Sequence, residues 1–264
     1  MNFNSKSKIQ TNMKIKKLAL LSAAVAGSLV ANAQTFNYNQ GDLLVGFRSA
    51  GAADDLVVDI GSPSLYVGAP NPVVLTGTYF TTSQLTDAGI SLTNLSYSVF
   101  ADDSSANLWV TKQGQGSTPW VAGNFFAQGP TGGKIEGIAN GAEDVSSENS
   151  PSADNTSSAV VMPSNFSFAG DVSYTLGVGA NGNFGGTFQG DVETSTSPGF
   201  STAWLDLYEL DTANNSGAGT FLGEFNLTPD GTLTFYAVPE PATWAMLGMG
   251  GMALISARRF FRKA

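Results

Sequence analysis

The chain has 264 residues, twelve of them basic and twenty-one acidic, with no histidine and no cysteine, for a formal net charge of −9. The missing residue types exclude a disulfide framework, zinc sites of Cys/His type, and Ser-His-Asp or Cys-His nucleophilic arrangements. Any catalysis has to rest on carboxylates, Ser/Lys, Tyr or a bound metal.

The N-terminal stretch reads as a signal peptide, residues 1–33. Lys14, Lys16 and Lys17 form a positive region, Leu18 to Val30 is a short apolar run, and Ala31-Asn32-Ala33 is an A-x-A cleavage site that leaves Gln34 as the first mature residue. The apolar run is too short for a comfortable span of a hydrocarbon core about 30 Å thick. Met13 stands directly before the lysines and is an alternative start, which would leave residues 1–12 untranslated.

Charge is segregated along the chain. Lys6, Lys8, Lys14, Lys16 and Lys17 precede the cleavage site, and Arg258, Arg259, Arg262 and Lys263 close the chain. That leaves Arg48, Lys112 and Lys134 against all twenty-one acids, 3 − 21 = −18 with Glu240 counted. Such a surface repels phosphate backbones, so nucleic acid is not an expected partner.

Residues 34–238 are rich in Gly, Ser, Thr, Asn, Val and Phe, and their short apolar runs are separated by Gly, Pro, Asn and Asp. This is the pattern of an all-β fold, expected here as a single antiparallel β-sandwich or jelly-roll-like domain. Strands are predicted at residues 42–48, 56–60, 73–78, 95–101 and 108–111, with a helical turn at 83–88 behind a possible N-cap, Ser83. In 95–101, Leu95, Tyr97 and Val99 share one face and Ser96 and Ser98 the other. The stretch 120–127 is apolar without a clear period. From about 129 to 165 the pattern weakens, and the acidic, aromatic-free run 143–158 reads as an exposed polar loop. Residues 172–178 and 183–192 are expected as a hairpin through Gly179-Ala180-Asn181-Gly182. A meander of 204–210, 221–227 and 232–236 closes the domain, with Pro229-Asp230-Gly231 as a turn.

Several motifs are candidates for chemistry. Gly177-Val178-Gly179-Ala180-Asn181-Gly182 matches G-x-G-x-x-G, but Asn183-Phe184-Gly185-Gly186 follows it where a nucleotide site needs a helix. The pairs Asp102/Asp103, Glu143/Asp144 and Asp206/Glu209 are candidates for paired-carboxylate glycoside hydrolysis, although strand neighbours point to opposite faces. No organic cofactor is expected; calcium is the one ion whose chemistry suits the oxygen-rich loops around Asp102, Asp103, Asp211 and Asn215, and neither loop has the EF-hand spacing. Tyr66, Trp109, Trp120, Trp204 and Tyr208 are candidates for stacking on sugars and equally for core. The triplet Asn155-Thr156-Ser157 is not read as glycosylated.

The last 26 residues are of a different kind. Pro239-Glu240-Pro241 precedes an apolar run, residues 242–257, and a basic end containing Arg258 and Arg259. Sixteen helical residues reach roughly 24 Å, slightly short of a span, and Phe260 and Phe261 can extend it. The basic end predicts a cytoplasmic C-terminus for a transmembrane helix 242–257. Pro-Glu-Pro, an apolar helix and terminal arginines, in that order, resemble the PEP-CTERM sorting signal of bacterial exported proteins. The resemblance implies an exosortase-type processing protease as partner, removal of the tail near Pro239, and delivery to the cell surface or its exopolysaccharide matrix. GDLLVGFR and DLVVDIGS near the start, with WLDLYEL and FLGEFNLTPDGTLTF before the tail, are also similar to a recurrent group of PEP-CTERM proteins. That likeness implies one continuous domain and no site.

The expected function is that of an exported, non-enzymatic surface or matrix protein held by its tail in the inner membrane before processing, then interacting with polysaccharide or other matrix components. The alternatives are a carbohydrate-active hydrolase with paired carboxylates and a calcium-dependent adhesin.

Overall fold

Every pairing between named strands is antiparallel. The computed structural model describes residues 34–69, 72–105, 107–120, 125–147, 155–188, 190–211 and 217–238. The strands are β1 (Leu44–Ser49), β2 (Asp54–Asp59), β3 (Val73–Val74), β4 (Leu95–Asp102), β5 (Asn107–Gln113), β6 (Ala159–Pro163), β7 (Ser167–Phe168), β8 (Asp171–Val172), β9 (Thr194–Ser195), β10 (Ala203–Asp211), β11 (Thr220–Leu227) and β12 (Leu233–Ala237). The helices are α1 (Thr82–Asp87), α2 (Phe125–Ser147) and α3 (Tyr174–Val178). Ten strands form one sheet in the order β3-β12-β11-β10-β5-β4-β1-β2-β6, with β9 on β4; β7 and β8 pair separately.

The period of two along each strand builds two cores. Val45, Phe47, Leu56, Val58, Tyr97 and Val99 face one side, where Phe225, Leu233 and Phe235 from the other end of the strand order join them. Tyr66 packs on both Phe225 and Phe235, and the Tyr97 hydroxyl donates to the Ala203 carbonyl at 2.8 Å. The sheet therefore curls around this cluster. The expected antiparallel sheet is present and the fold is mostly β, but helices cover part of one face, and the core lies inside one continuous curled sheet rather than between two sheets. The opposite face carries Leu44, Val57, Phe100, Val110, Val160 and Met162, and these are covered by Ile135, Ile138, Ala139 and Ala142 of α2 and Tyr174 and Val178 of α3. β1, β2 and β4 are buried on both faces, and the polar residues they carry there, Asp55, Asp59 and Ser98, are buried and hydrogen-bonded.

Two expectations are corrected. Residues 129–147 are helical, not loop, and 159–163 are strand β6. Five glycines and Pro130 give α2 a poor intrinsic propensity, about 1 kcal/mol lost per glycine relative to alanine, so its folding depends on packing. Ile135, Ile138, Ala139 and Ala142 supply an apolar face at helical spacing. Gly137 and Gly141 let the backbone approach β8: a Cβ at Gly141 would lie 2.8 Å from the Val172 carbonyl oxygen. The remainder of the polar run, 148–154, lies outside the described residues. The second correction concerns 172–192, which is not a hairpin. Tyr174 and Val178 are buried at helical i, i+4 spacing, and Ser173 caps the turn by accepting from the Leu176 N–H.

The segment 34–40 runs along α2 and is latched to it. The Phe36 N–H donates to Ser146 Oγ at 3.0 Å, the Tyr38 N–H to Glu143 Oε1 at 3.1 Å, and Gln40 Nε2 to Glu136 Oε1 at 2.7 Å. Alternate residues of an extended chain thus meet one face of a helix, and the acids of the polar run serve as acceptors.

Candidate functional site

Arg48 ends the apolar run of β1 on the helix-covered face. Glu193, from the loop after α3, meets its guanidinium in a salt bridge. The Tyr174 hydroxyl donates to Glu193 Oε1 at 2.6 Å and lies 2.7 Å from Ser98 Oγ of β4. On β2, Asp55 accepts from the Thr175 N–H at 2.7 Å and the Thr175 hydroxyl at 2.8 Å. Tyr174 stacks on Phe100 with ring centroids 5.7 Å apart at 6°. The result is a buried, satisfied polar network fixed on a rigid sheet.

Burial sets its electrostatics. Desolvation pushes the Asp55 carboxyl up to about 6 against the Thr175 hydrogen bonds and Arg48. It also raises Glu193, with Arg48 and the Tyr174 hydroxyl pulling the other way. The Tyr174 phenol is driven well above its ordinary range by complete burial and by the Glu193 charge.

Two grooves open above this floor, of about 440 and 210 Å³, and they meet at Arg48, Ser96 and Ala180. The larger runs over Ser49, Ser164 and Thr175. The smaller is lined by Gln113, Asn181, Asp191, Glu193 and Ser195. Arg48 is one of three cations in the body, and all three are engaged: Lys112 donates to the Thr118 carbonyl and sits 4.4 Å from the Trp120 ring centroid, and Lys134 donates to the Phe184 carbonyl. The sequence signal for this site was a lone arginine on an otherwise apolar strand.

The sugar-stacking candidates separate cleanly. Tyr66, Trp109, Trp120 and Tyr208 are buried. Trp204 is half-buried on the face of β10 turned away from Leu205 and Leu207, and pairs with Tyr236 of β12 at 5.7 Å between ring centroids and 44°. Tyr236 is 39 % exposed. Between them on β11, Glu224 stands opposite Tyr236 and Asn226 opposite Trp204. Gln115 Nε2 donates to Glu224 Oε2 at 3.1 Å.

The carboxylate and calcium candidates are used locally. Asp103 accepts from the Ser105 and Asn107 N–H groups and from Asn107 Nδ2; slight desolvation opposes these bonds, which hold its carboxyl down at about 2. Asp102 is raised, first by desolvation, and packs against Gly132 of α2. Asp206 is fully buried and accepts from the Gly116 and Ser117 N–H groups. Glu143 is the latch for Tyr38. None of the three carboxylate pairs lines either groove. The structure does bring Asp211 beside the Asp103 turn, since Asp211 pairs with Asn107. Among the described residues no group of three or more acids is placed to hold a metal ion. Asn215 lies outside the described residues. Gly177 and Val178 of the G-x-G-x-x-G stretch end α3 instead of preceding a helix, so no helix N-terminus faces the motif.

The addresses at the two ends, including Ala31, Ala33, Pro239, Glu240, Pro241, Arg258 and Arg259, lie outside the described residues, as does the run 242–257. Among the described residues no helix is long and apolar enough to cross a membrane. Comparison of the chain with curated proteins and with solved structures returns no match. Residues 237–263 match a family described as the PEP-CTERM protein-sorting motif. That motif begins directly at the end of β12, so the body passes into it with almost no linker. The chain thus carries a PEP-CTERM protein-sorting motif at residues 237–263, and that motif implies an exported protein passing through the membrane with exosortase-type processing.

Proposed function

We propose that the body is a non-enzymatic binding domain that reaches the cell surface or extracellular matrix and there engages polysaccharide. The observation that carries this reading is the Trp204–Tyr236 pair on β10 and β12. Two aromatic rings left partly in water beside a carboxylate and an amide form a platform for a sugar face with hydrogen-bonding groups at its rim. The acidic surface keeps such a domain soluble outside the cell. The tail places it: held in the inner membrane first, it is released from Pro239 onward by the processing protease.

The test is affinity electrophoresis of the exported protein through gels containing exopolysaccharide from its own host. Retardation is expected for the native protein and should disappear with Trp204→Ala and Tyr236→Ala together. Equal migration of native and double variant, with or without the polysaccharide, would overturn the reading.

A further inference from the structure

We infer that the joined grooves over Arg48 form a second, separate binding site, for a neutral saccharide chain. The inference rests on the proposed function only in taking a glycan as ligand; neither Trp204 nor Tyr236 is among the residues that line the grooves.

Size, lining and charge point to it. The grooves, about 440 and 210 Å³, share Arg48, Ser96 and Ala180 as a common ridge, and the larger falls in the range of small-ligand sites, about 300–1,000 Å³. Their walls are hydroxyls and side-chain amides: Ser49, Ser96, Ser164, Thr175, Gln113 and Asn181. The hydroxyls of Ser49, Ser164 and Thr175 already donate within the protein and Ser96 pairs with Ser195, so they offer a sugar hydroxyl their remaining lone pairs, while the Gln113 and Asn181 amides both give and accept.

Charge selects within the saccharides. Arg48, the cation in the grooves, is already neutralised by Glu193. Asp191 and Glu193 line the smaller groove, and the body as a whole carries a large negative excess. An anionic polymer such as a polyuronate meets repulsion and finds no free cation. A neutral chain meets Arg48 and Glu193 held in place by each other, with Glu193 fixed from beneath by the buried Tyr174 hydroxyl, itself set by Ser98 and the Phe100 stack. A floor fixed before the ligand arrives costs little ordering on binding.

The fold leaves the rim free to be tested. Ala180, Asn181 and Gln113 are exposed, so substitution there leaves both cores untouched. The full chain, purified after export, is titrated calorimetrically with laminarin and dextran as neutral probes and alginate as the anionic one. At least one neutral probe is expected to bind and alginate to be ignored. Ala180→Trp, which fills the shared ridge, should weaken the neutral probe by at least about tenfold with unchanged melting temperature, and Gln113→Ala and Asn181→Ala should each weaken it several-fold. Trp204→Ala should leave oligosaccharide-length laminarin binding intact. No binding to either neutral probe, equal binding of alginate, or full affinity in Ala180→Trp would each overturn the inference. Retention of the host exopolysaccharide by the Ala180→Trp variant would, in those cases, leave the Trp204–Tyr236 reading standing; loss of exopolysaccharide binding in the native protein would remove both.

Discussion

The ring of Tyr174 lies flat over Gly46, so close that a Cβ at residue 46 would sit 2.3 Å from Tyr174 Cδ2. The contact joins α3 to the middle of β1 and holds the phenol where it reaches Glu193 and Ser98. Gly46→Ala should therefore destabilise the domain by overpacking, about 1–3 kcal/mol. Tyr174→Phe keeps the ring but strips Glu193 and Ser98 of a buried partner, a loss of about 1–3 kcal/mol. Urea denaturation of the two variants checks both values.

Stability should fall as pH rises through the neutral range. Burial raises Asp55 to about 6 and Asp59 to about 7; Thr175 and Arg48 oppose the first shift, and the Gly61 N–H opposes the second. Between the ordinary carboxylate range, about 4, and these values, the folded state binds more protons than the unfolded chain. The slope of stability with pH is then negative, and the contribution is present at acid pH and lost as pH rises through 6 to 7. Asp103, held at about 2, acts in the opposite sense only below the ordinary range. Thermal melts at pH 5 and pH 8 should show the higher melting temperature at pH 5, and Asp55→Asn should flatten the difference.

The latch between the N-terminal segment and α2 should be separable from the rest of the fold. Ser146→Ala leaves the buried Phe36 N–H without its acceptor, a cost of about 1–3 kcal/mol. Hydrogen exchange should show faster exchange at Phe36 in this variant, and at Tyr38 in Glu143→Ala, while the amides of β1 and β4 keep their protection.

The glycines of α2 should divide by environment. Gly133 faces open space, and a Cβ there meets nothing within 4 Å. Gly133→Ala should stabilise by about 0.5–1 kcal/mol through helix propensity. Gly141→Ala should destabilise instead, because its Cβ would press on the Val172 carbonyl and N–H at 2.8 and 3.2 Å. Melting temperatures that move in opposite directions are the expected result.

Strands β1, β2, β4, β5 and β10 to β12 are legible in the sequence because alternation and turn residues agree along them. Leu95, Tyr97 and Val99 face the core as their spacing requires, and the turn at Pro229-Asp230-Gly231 joins β11 to β12. Helix α2 was hidden because its glycines and Pro130 argue against a helix locally, while the reason for them, close approach to β8, is tertiary. Its apolar face at Ile135, Ile138, Ala139 and Ala142 was the available signal. Helix α3 resembles a strand in the sequence because five residues show little period, although Ser173 offers a cap. Of the site, Trp204 was among the named aromatics, but its partner Tyr236 and the Arg48–Glu193 network join residues up to 145 positions apart. No local pattern carries such a pairing.

We read both ends as sorting addresses and the β-rich body between them as what reaches the outside. Intact mass spectrometry of the protein recovered from its host's surface and medium tests it most directly. The account predicts a chain that starts at Gln34 and stops near Pro239, and its disappearance from those fractions when residues 239–264 are deleted. A chain running from Met1 or Met13 to Ala264, recovered from the cytosol, would contradict it.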